Sequence, residues 1–164
     1  MREIKFKGKA KMSIEELDDM HFEHDNGWLV GNLITNGKNG RSPYIVGNLV
    51  ETDPEYIVHE FWMPVYPESV GQYTGLTDKH GTEIYEGDIV KSATQNDIIK
   101  FEYGSFMVMG LHEDKYEREY SMLYHFLVDA TIPNEKHSKF DGVTTTLEVT
   151  GNIYENPELS EGEE

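Results

Sequence analysis

Pro67-Glu-Ser-Val-Gly-Gln-Tyr-Thr-Gly-Leu-Thr-Asp-Lys-His-Gly-Thr-Glu-Ile-Tyr-Glu-Gly-Asp-Ile-Val-Lys91 sets Gly71, Gly75, Gly81 and Gly87 between short β-prone runs. Glycine reaches positive φ without the Cβ clash other residues meet, so each of the four marks an expected turn. Aspartates stand beside two of them, Asp78 in Asp78-Lys-His-Gly81 and Asp88 directly after Gly87. A short carboxylate at such a place accepts N–H bonds from the turn's own backbone. The block predicts short strands joined by tight turns, and it sets a β-rich frame for the rest of the chain.

Downstream, residues 97–103 and 105–111 flank Gly104 as a predicted hairpin. Residues 114–128 fit both helical and strand spacing, and their aromatic content and β-rich surroundings favour a strand. Residues 129–142 read as a loop. Residues 144–150 read as a strand turned at Gly151-Asn152, with Ile153 and Tyr154 adding a last apolar contact.

Upstream, residues 3–12 alternate without a break, Ile4, Phe6, Gly8, Ala10 and Met12 against Glu3, Lys5, Lys7, Lys9 and Lys11. That is the period of a half-buried strand, its lysine row an edge or solvent face. Ser13-Ile-Glu-Glu16 is a capping box opening a helix over 14–20. Residues 28–34, 44–46 and 56–62 read as strands, with turns at Asp25-Asn-Gly27 and Asp53-Pro54 and a hairpin loop over 35–40.

The class is mainly β with minor helix (α+β). Gly87-Asp88-Ile-Val-Lys91, followed by a hairpin and a late strand, resembles SH3-like barrels. The expected architecture is therefore an SH3-like-barrel-type β core with an additional N-terminal β subdomain. One domain is expected over 1–157, divisible into 1–66 and a barrel-like 67–157, with an acidic disordered tail over 158–164.

The chain's 164 residues are enough for a real core without staples. With no cysteine there is no disulfide, thiolate nucleophile or Cys-based zinc site. No run approaches the roughly 18 apolar residues that span a bilayer, and the charged N-terminus does not read as a secretory signal. Cytoplasmic residence is expected, without membrane contact. The formal charge is −17, and five of the 14 basic residues lie in the first 11 positions. Such a surface repels phosphate backbones, disfavouring direct nucleic-acid binding and favouring a basic partner.

Each candidate chemistry has a structural counterpart. The glycines lack the Gly-Lys-Ser/Thr ending of a phosphate loop, although Lys79 stands nearby. Asp78, Glu83, Glu86 and Asp88 could supply a carboxylate pair, but Asp78 and Asp88 are better explained as turn carboxylates. His21-Phe-Glu-His24 with Asp25 lacks a zincin spacing, and His59 reads as a satisfied strand histidine. No serine sits in a Gly-x-Ser-x-Gly elbow. No catalytic, cofactor-binding or metal-binding residue is assigned.

The central block from Val70 to Val90 resembles the signature of the YopX family of phage and prophage proteins. Arg2-Glu-Ile-Lys-Phe-Lys-Gly-Lys9, Gly27-Trp-Leu-Val-Gly-Asn-Leu33 and Leu147-Glu-Val-Thr-Gly-Asn-Ile-Tyr-Glu-Asn-Pro157 are similar to other segments of that family, in its order. Residues 10–26 look longer than the family's link, and 112–143 match poorly. The resemblance implies a β-rich fold, a bacteriophage or prophage origin and self-association, and it implies no activity.

The expectation is a non-enzymatic binding or assembly protein without a cofactor, acting as a homo-oligomer. Surface aromatics and the 67–91 loops would supply its contacts, and Tyr73, Thr74, Asp78, His80, Tyr85 and Asp88 are the candidate interaction residues. The rival expectations are an acidic DNA-mimic inhibitor of a basic host protein and a weak nucleic-acid binder using the lysine row. An enzyme on the Asp78–Asp88 loop ranks behind both.

Overall fold

The structure, a computed structural model, describes residues 3–35, 42–92, 95–111, 119–128 and 144–159. Three antiparallel sheets and one short helix make the fold mainly β among these residues. Two compact units divide the chain, Met1–Gln72 and Tyr73–Glu164.

The first unit holds β1 (Phe6–Lys9), α1 (Ile14–Asp19), β2 (Trp28–Ile34), β3 (Tyr44–Val46), β4 (Leu49–Thr52), β5 (Ile57–His59) and β6 (Trp62–Pro64). Its main sheet runs β6-β3-β2-β1, and β7 (Gly71–Thr77) opens beside β1 through Gly71 and Gln72. The predicted capping box is present. Ser13 Oγ accepts the N–H of Glu16, and the Glu16 carboxylate accepts the N–H of Ser13 at 3.0 Å. The cap starts a helix whose inner residue, Leu17, packs with Ala10, Leu29, Ile45, Met63 and Val65. Fully burying such a side chain contributes about 1.5–3 kcal/mol, which outweighs the weak intrinsic stability of a one-and-a-half-turn helix.

β1 is not an edge strand, because β2 and β7 flank it. Its lysines lie over aromatic rings: Lys7 and Lys9 over Trp28, and beyond the strand Lys11 over Tyr66. The predicted strand at 56–62 is two strands. A bend at Glu60-Phe61 separates β5, which pairs with β4, from β6 on β3.

The second unit adds β8 (Glu83–Tyr85), β9 (Asp88–Lys91), β10 (Asn96–Glu102), β11 (Ser105–Gly110), β12 (Tyr120–Met122) and β13 (Glu148–Asn152). β7 pairs with β8, and the register shifts between Tyr73 and Thr77, where Gly75 holds φ 86°. Gly81 and Gly87 sit in turns at positive φ as predicted, whereas Gly71 and Gly75 lie inside β7. The remaining strands order as β12-β11-β10-β9-β13. Ile84, Val90, Ile99, Phe106, Val108, Leu123 and Leu147 form the core of this unit.

No closed barrel forms among the described residues. β12 and β13 end the sheet on opposite sides, and the Leu127–Thr145 bridge joins their flanking segments. Of the span 114–128, where the sequence predicts a strand, residues 119–128 are described. Among them the strand is Tyr120–Met122, and the chain then winds into a 3₁₀ turn at Leu123–Phe126 that buries Leu123. Gly151 and Asn152, paired with β9 beyond a bulge, are the last residues of β13. The turn follows them at 153–155, where Asn152 Oδ1 accepts the N–H groups of Tyr154 and Glu155. The predicted loops at 35–40 and 129–142 fall largely or wholly outside the described residues, as do positions 160–164 of the tail. Pro157–Leu159 forms a further 3₁₀ turn.

Candidate functional site

The 73–88 block is built around two buried carboxylates. Asp78 follows β7, where the chain must reverse into β8, and Gly81 at φ 88° completes the reversal. Asp78 Oδ1 accepts the N–H groups of His80 and Thr82 at 2.8 and 2.9 Å, and Oδ2 accepts that of Val149 at 3.1 Å. Burial alone would raise its pKa. The three N–H donors and the nearby charge of His80 outweigh burial and hold the carboxyl below its ordinary range. Asp88 acts in the same way after β8, its Oδ2 accepting the N–H of Tyr85 at 2.8 Å.

The hydroxyls of Thr74 and Tyr85 also turn to partners on the protein. Thr74 Oγ1 donates to the Ile84 carbonyl at 2.8 Å and accepts the N–H of Leu76. Tyr73 and Tyr85 face each other across β7 and β8, ring centroids 5.4 Å apart. The Tyr85 hydroxyl donates to Glu83 at 2.7 Å. Burial first, then the bond to Glu83 and its charge, push the Tyr85 pKa far above the usual phenol range, so it stays protonated.

Of the six candidate interaction residues, the structure therefore places Tyr73, Thr74, Asp78, Tyr85 and Asp88 inside and leaves His80 exposed. The four carboxylates considered for acid–base work each hold a partner on the protein. Besides the two aspartates, Glu83 accepts from Tyr85, and Glu86 accepts the N–H of Phe101 at 3.3 Å. Lys79, the cation considered for a phosphate loop, pairs with Glu148, and that ion pair lowers the glutamate's pKa.

His21, His24 and His59 are likewise engaged. His24 sits between Asp18 and the N–H of Gly27, and His21 Nδ1 lies 3.0 Å from the Asp19 carbonyl. His59 Nδ1 lies 3.0 Å from the Gly47 carbonyl, with its ring edge-on to Trp62. Among the described residues no three His, Cys, Asp or Glu side chains converge as metal ligands, and no helix is long and apolar enough to cross a membrane.

Two exposed apolar regions were not singled out by sequence reasoning. One is the strip Tyr120-Ser-Met-Leu-Tyr-His-Phe-Leu-Val128, which contains no Asp, Glu, Lys or Arg. It exposes Tyr120, Met122, Tyr124 and Val128 along the sheet-ending strand β12 and the turn after it. The other is the β4–β5 ribbon, where Leu49, Val50, Tyr56, Ile57 and Val58 are all exposed. The charge gap at 120–128 was legible in a chain of net −17. The exposure of the ribbon was not, since its pairing partners lie in the fold.

The family model described as YopX protein matches residues 6–161. A crystal structure of protein EF1440 from Enterococcus faecalis aligns over 98% of this chain and 100% of that chain, with 19% identity and a TM-score of 0.37. No curated protein matches the chain.

Proposed function

The chain belongs to the YopX family, and from that premise we propose that it is a non-enzymatic binding or assembly protein acting as a homo-oligomer. One observation carries this reading: the exposed, charge-free strip 120–128 at the end of the five-stranded sheet. Two copies of a chain with charge −17 repel each other, and they repel least where neither presents a charge. An edge strand offers backbone groups for continuing the sheet into a second copy, and Tyr and Met are residues that interfaces favour. Buried, hydrogen-bonded positions for Asp78, Tyr85 and Asp88 support a structural role for the central block rather than a catalytic one.

The finer architecture proposed for the second unit is an SH3-like-barrel-type core. Its support is the Gly87-Asp88 turn launching β9, the β10–β11 hairpin, the 3₁₀ turn before the last strand, and the Leu127–Thr145 bridge. A phage or prophage origin and action in the bacterial cytoplasm complete the proposal, supported by the family and by the absence of cysteine.

Light-scattering mass measurement tests the assembly. A mass above that of one chain is expected, and Tyr120→Glu with Met122→Glu should lower it to one chain with the far-ultraviolet spectrum unchanged. A wild-type monomer at high concentration would defeat the reading.

The acidic charge favours a second reading, a DNA-mimic inhibitor that occupies a basic host protein. Pull-down from host lysate should then retain a DNA-binding protein at low salt and release it at high salt. Failure to retain one at low salt removes this reading.

A further inference from the structure

The pairing of β3 with β6 does not stop at the edge of its sheet. After the Val46–Trp62 pair, Gly47 donates to the Phe61 carbonyl and Glu60 to that of Asn48, each at 3.0 Å. The ladder then continues through Leu49–His59, Glu51–Val58 and Thr52–Ile57, and it closes where Asp53 and Tyr56 exchange backbone bonds. The result is one long hairpin, rooted in the main sheet and ending in a two-stranded arm.

Every residue from Asn48 to Glu60 is exposed except His59, which is half-buried. Ile57 and Val58 are neighbours on one strand and so point to opposite faces. Their exposures of 65% and 41% mean that both faces of the arm are open. A two-stranded ribbon is marginal in water by itself, and a third strand is what such a ribbon lacks. Among the described residues no other strand pairs with it.

Charge selects the occupant. Residues 48–60 carry Glu51, Asp53, Glu55 and Glu60 and no Lys or Arg. Symmetric pairing of two arms would bring these carboxylates against their own copies, a like-charge juxtaposition that interfaces avoid. An extended segment that alternates apolar residues with Lys or Arg meets both properties of the arm at once. Its backbone would add to an open edge, its apolar side chains, all on one face, would cover the arm's apolar residues of that face, and its cations would stand on the other face within reach of the carboxylates. We infer that the β4–β5 arm is a strand-addition site for a basic, apolar extended segment of another protein. This goes beyond self-association and uses a different surface from the 120–128 strip.

Fluorescence anisotropy with three labelled peptides on the full chain tests it. The peptides alternate Lys with Val, Lys with Ser, or Glu with Val. The Lys–Val peptide should bind about tenfold or more tighter than either control, and its affinity should fall as salt rises. Ile57→Ser with Val58→Ser should remove its advantage over Lys–Ser. Glu51→Gln with Glu55→Gln, which keeps the side-chain shape, should weaken Lys–Val binding by several-fold. Equal binding of Lys–Val and Lys–Ser would overturn the inference, as would an advantage that survives Ile57→Ser with Val58→Ser. So would a drop in solution mass on making that double change, since it would show a second copy on the arm. Loss of self-association on altering Tyr120 and Met122 leaves the peptide result untouched, so the two readings fail separately.

Discussion

The carboxylate of Asp78 accepts the backbone N–H of Val149 at 3.1 Å across 71 positions of sequence. The same side chain closes its own turn through His80 and Thr82, so one buried group ties the β7–β8 connection to the last strand. Removing it leaves three N–H donors to find other partners; those of His80 and Thr82 belong to exposed residues that water reaches, while that of Val149 is half-buried. With about 1–3 kcal/mol for a donor left unsatisfied out of water, Asp78→Ala should destabilise the protein by about 2 kcal/mol. Asp78→Asn should cost less, because its oxygen can still serve the turn while its amide opposes the Val149 N–H. Urea titration followed by circular dichroism measures both, and an Ala variant within about 1 kcal/mol of wild type would refute the role.

Two buried aspartates should respond to pH with opposite signs. The folded pKa of Asp78 is lowered, so its contribution is fully present above the unfolded value of about 3.9 and is lost as pH falls through the folded one. The folded pKa of Asp97 is raised. Burial is the main cause and the charge of Glu119 adds to it, against bonds from Ser92 and Gln95. Asp97 therefore costs stability as pH rises from about 3.9 through its raised value. Asp97→Asn should make the protein more stable at neutral pH and remove that decline, whereas Asp78→Asn should flatten the acid limb. Denaturant midpoints across acid and neutral pH check both, and shifts of the same sign in the two variants would contradict the assignment.

Features written in contiguous residues were legible in the sequence. The Ser13–Glu16 cap, the β2 and β3 spans, the hairpin around Gly104 and the turn roles of Asp78 and Asp88 all depend on neighbours within a few positions. What failed depends on distant partners. The bend at Glu60-Phe61 occurs because the chain leaves the ribbon pairing with β4 and joins β3. The turn predicted at Gly151-Asn152 begins at Ile153 instead, because β9 still holds that pair at the end of its ladder. The candidate site illustrates the same limit. Polar residues beside glycines were visible, but the side on which Tyr73, Thr74 and Tyr85 point is set by β7 and β8 together.

Tyr103 carries φ 53° at the tip of the β10–β11 hairpin, followed by Gly104 at φ 79°. Two positive φ values in succession are the geometry that favours Asn-Gly, and a bulky side chain in the first position is strained. The ring is 89% exposed, so packing offsets little of that strain. Tyr103→Asn should raise stability by about 1 kcal/mol without altering the hairpin. Thermal and denaturant unfolding would show it. A variant less stable than wild type would mean that the Tyr103 ring makes contacts worth more than the backbone strain.

Two glycines should fail for different reasons when changed to alanine. At Gly31 in β2, a Cβ would collide with the backbone carbonyl of Val46 on the paired strand β3, and backbone cannot move aside as a side-chain tip can. At Gly104 a Cβ would meet nothing within 4 Å, and only the positive φ opposes it. The second cost is conformational, about 1–2 kcal/mol. The first requires β2 and β3 to separate, which disturbs the packing of Leu29 and Ile45, and should exceed it by about 2 kcal/mol. Both tryptophans, Trp28 and Trp62, lie in the first unit, so their fluorescence reports on the sheet that contains Gly31. Gly31→Ala should therefore shift the tryptophan transition strongly, while Gly104→Ala, in the second unit, should show its effect by circular dichroism. Equal costs at the two positions would mean that β2 and β3 can separate without loss, contrary to the close approach that Gly31 permits.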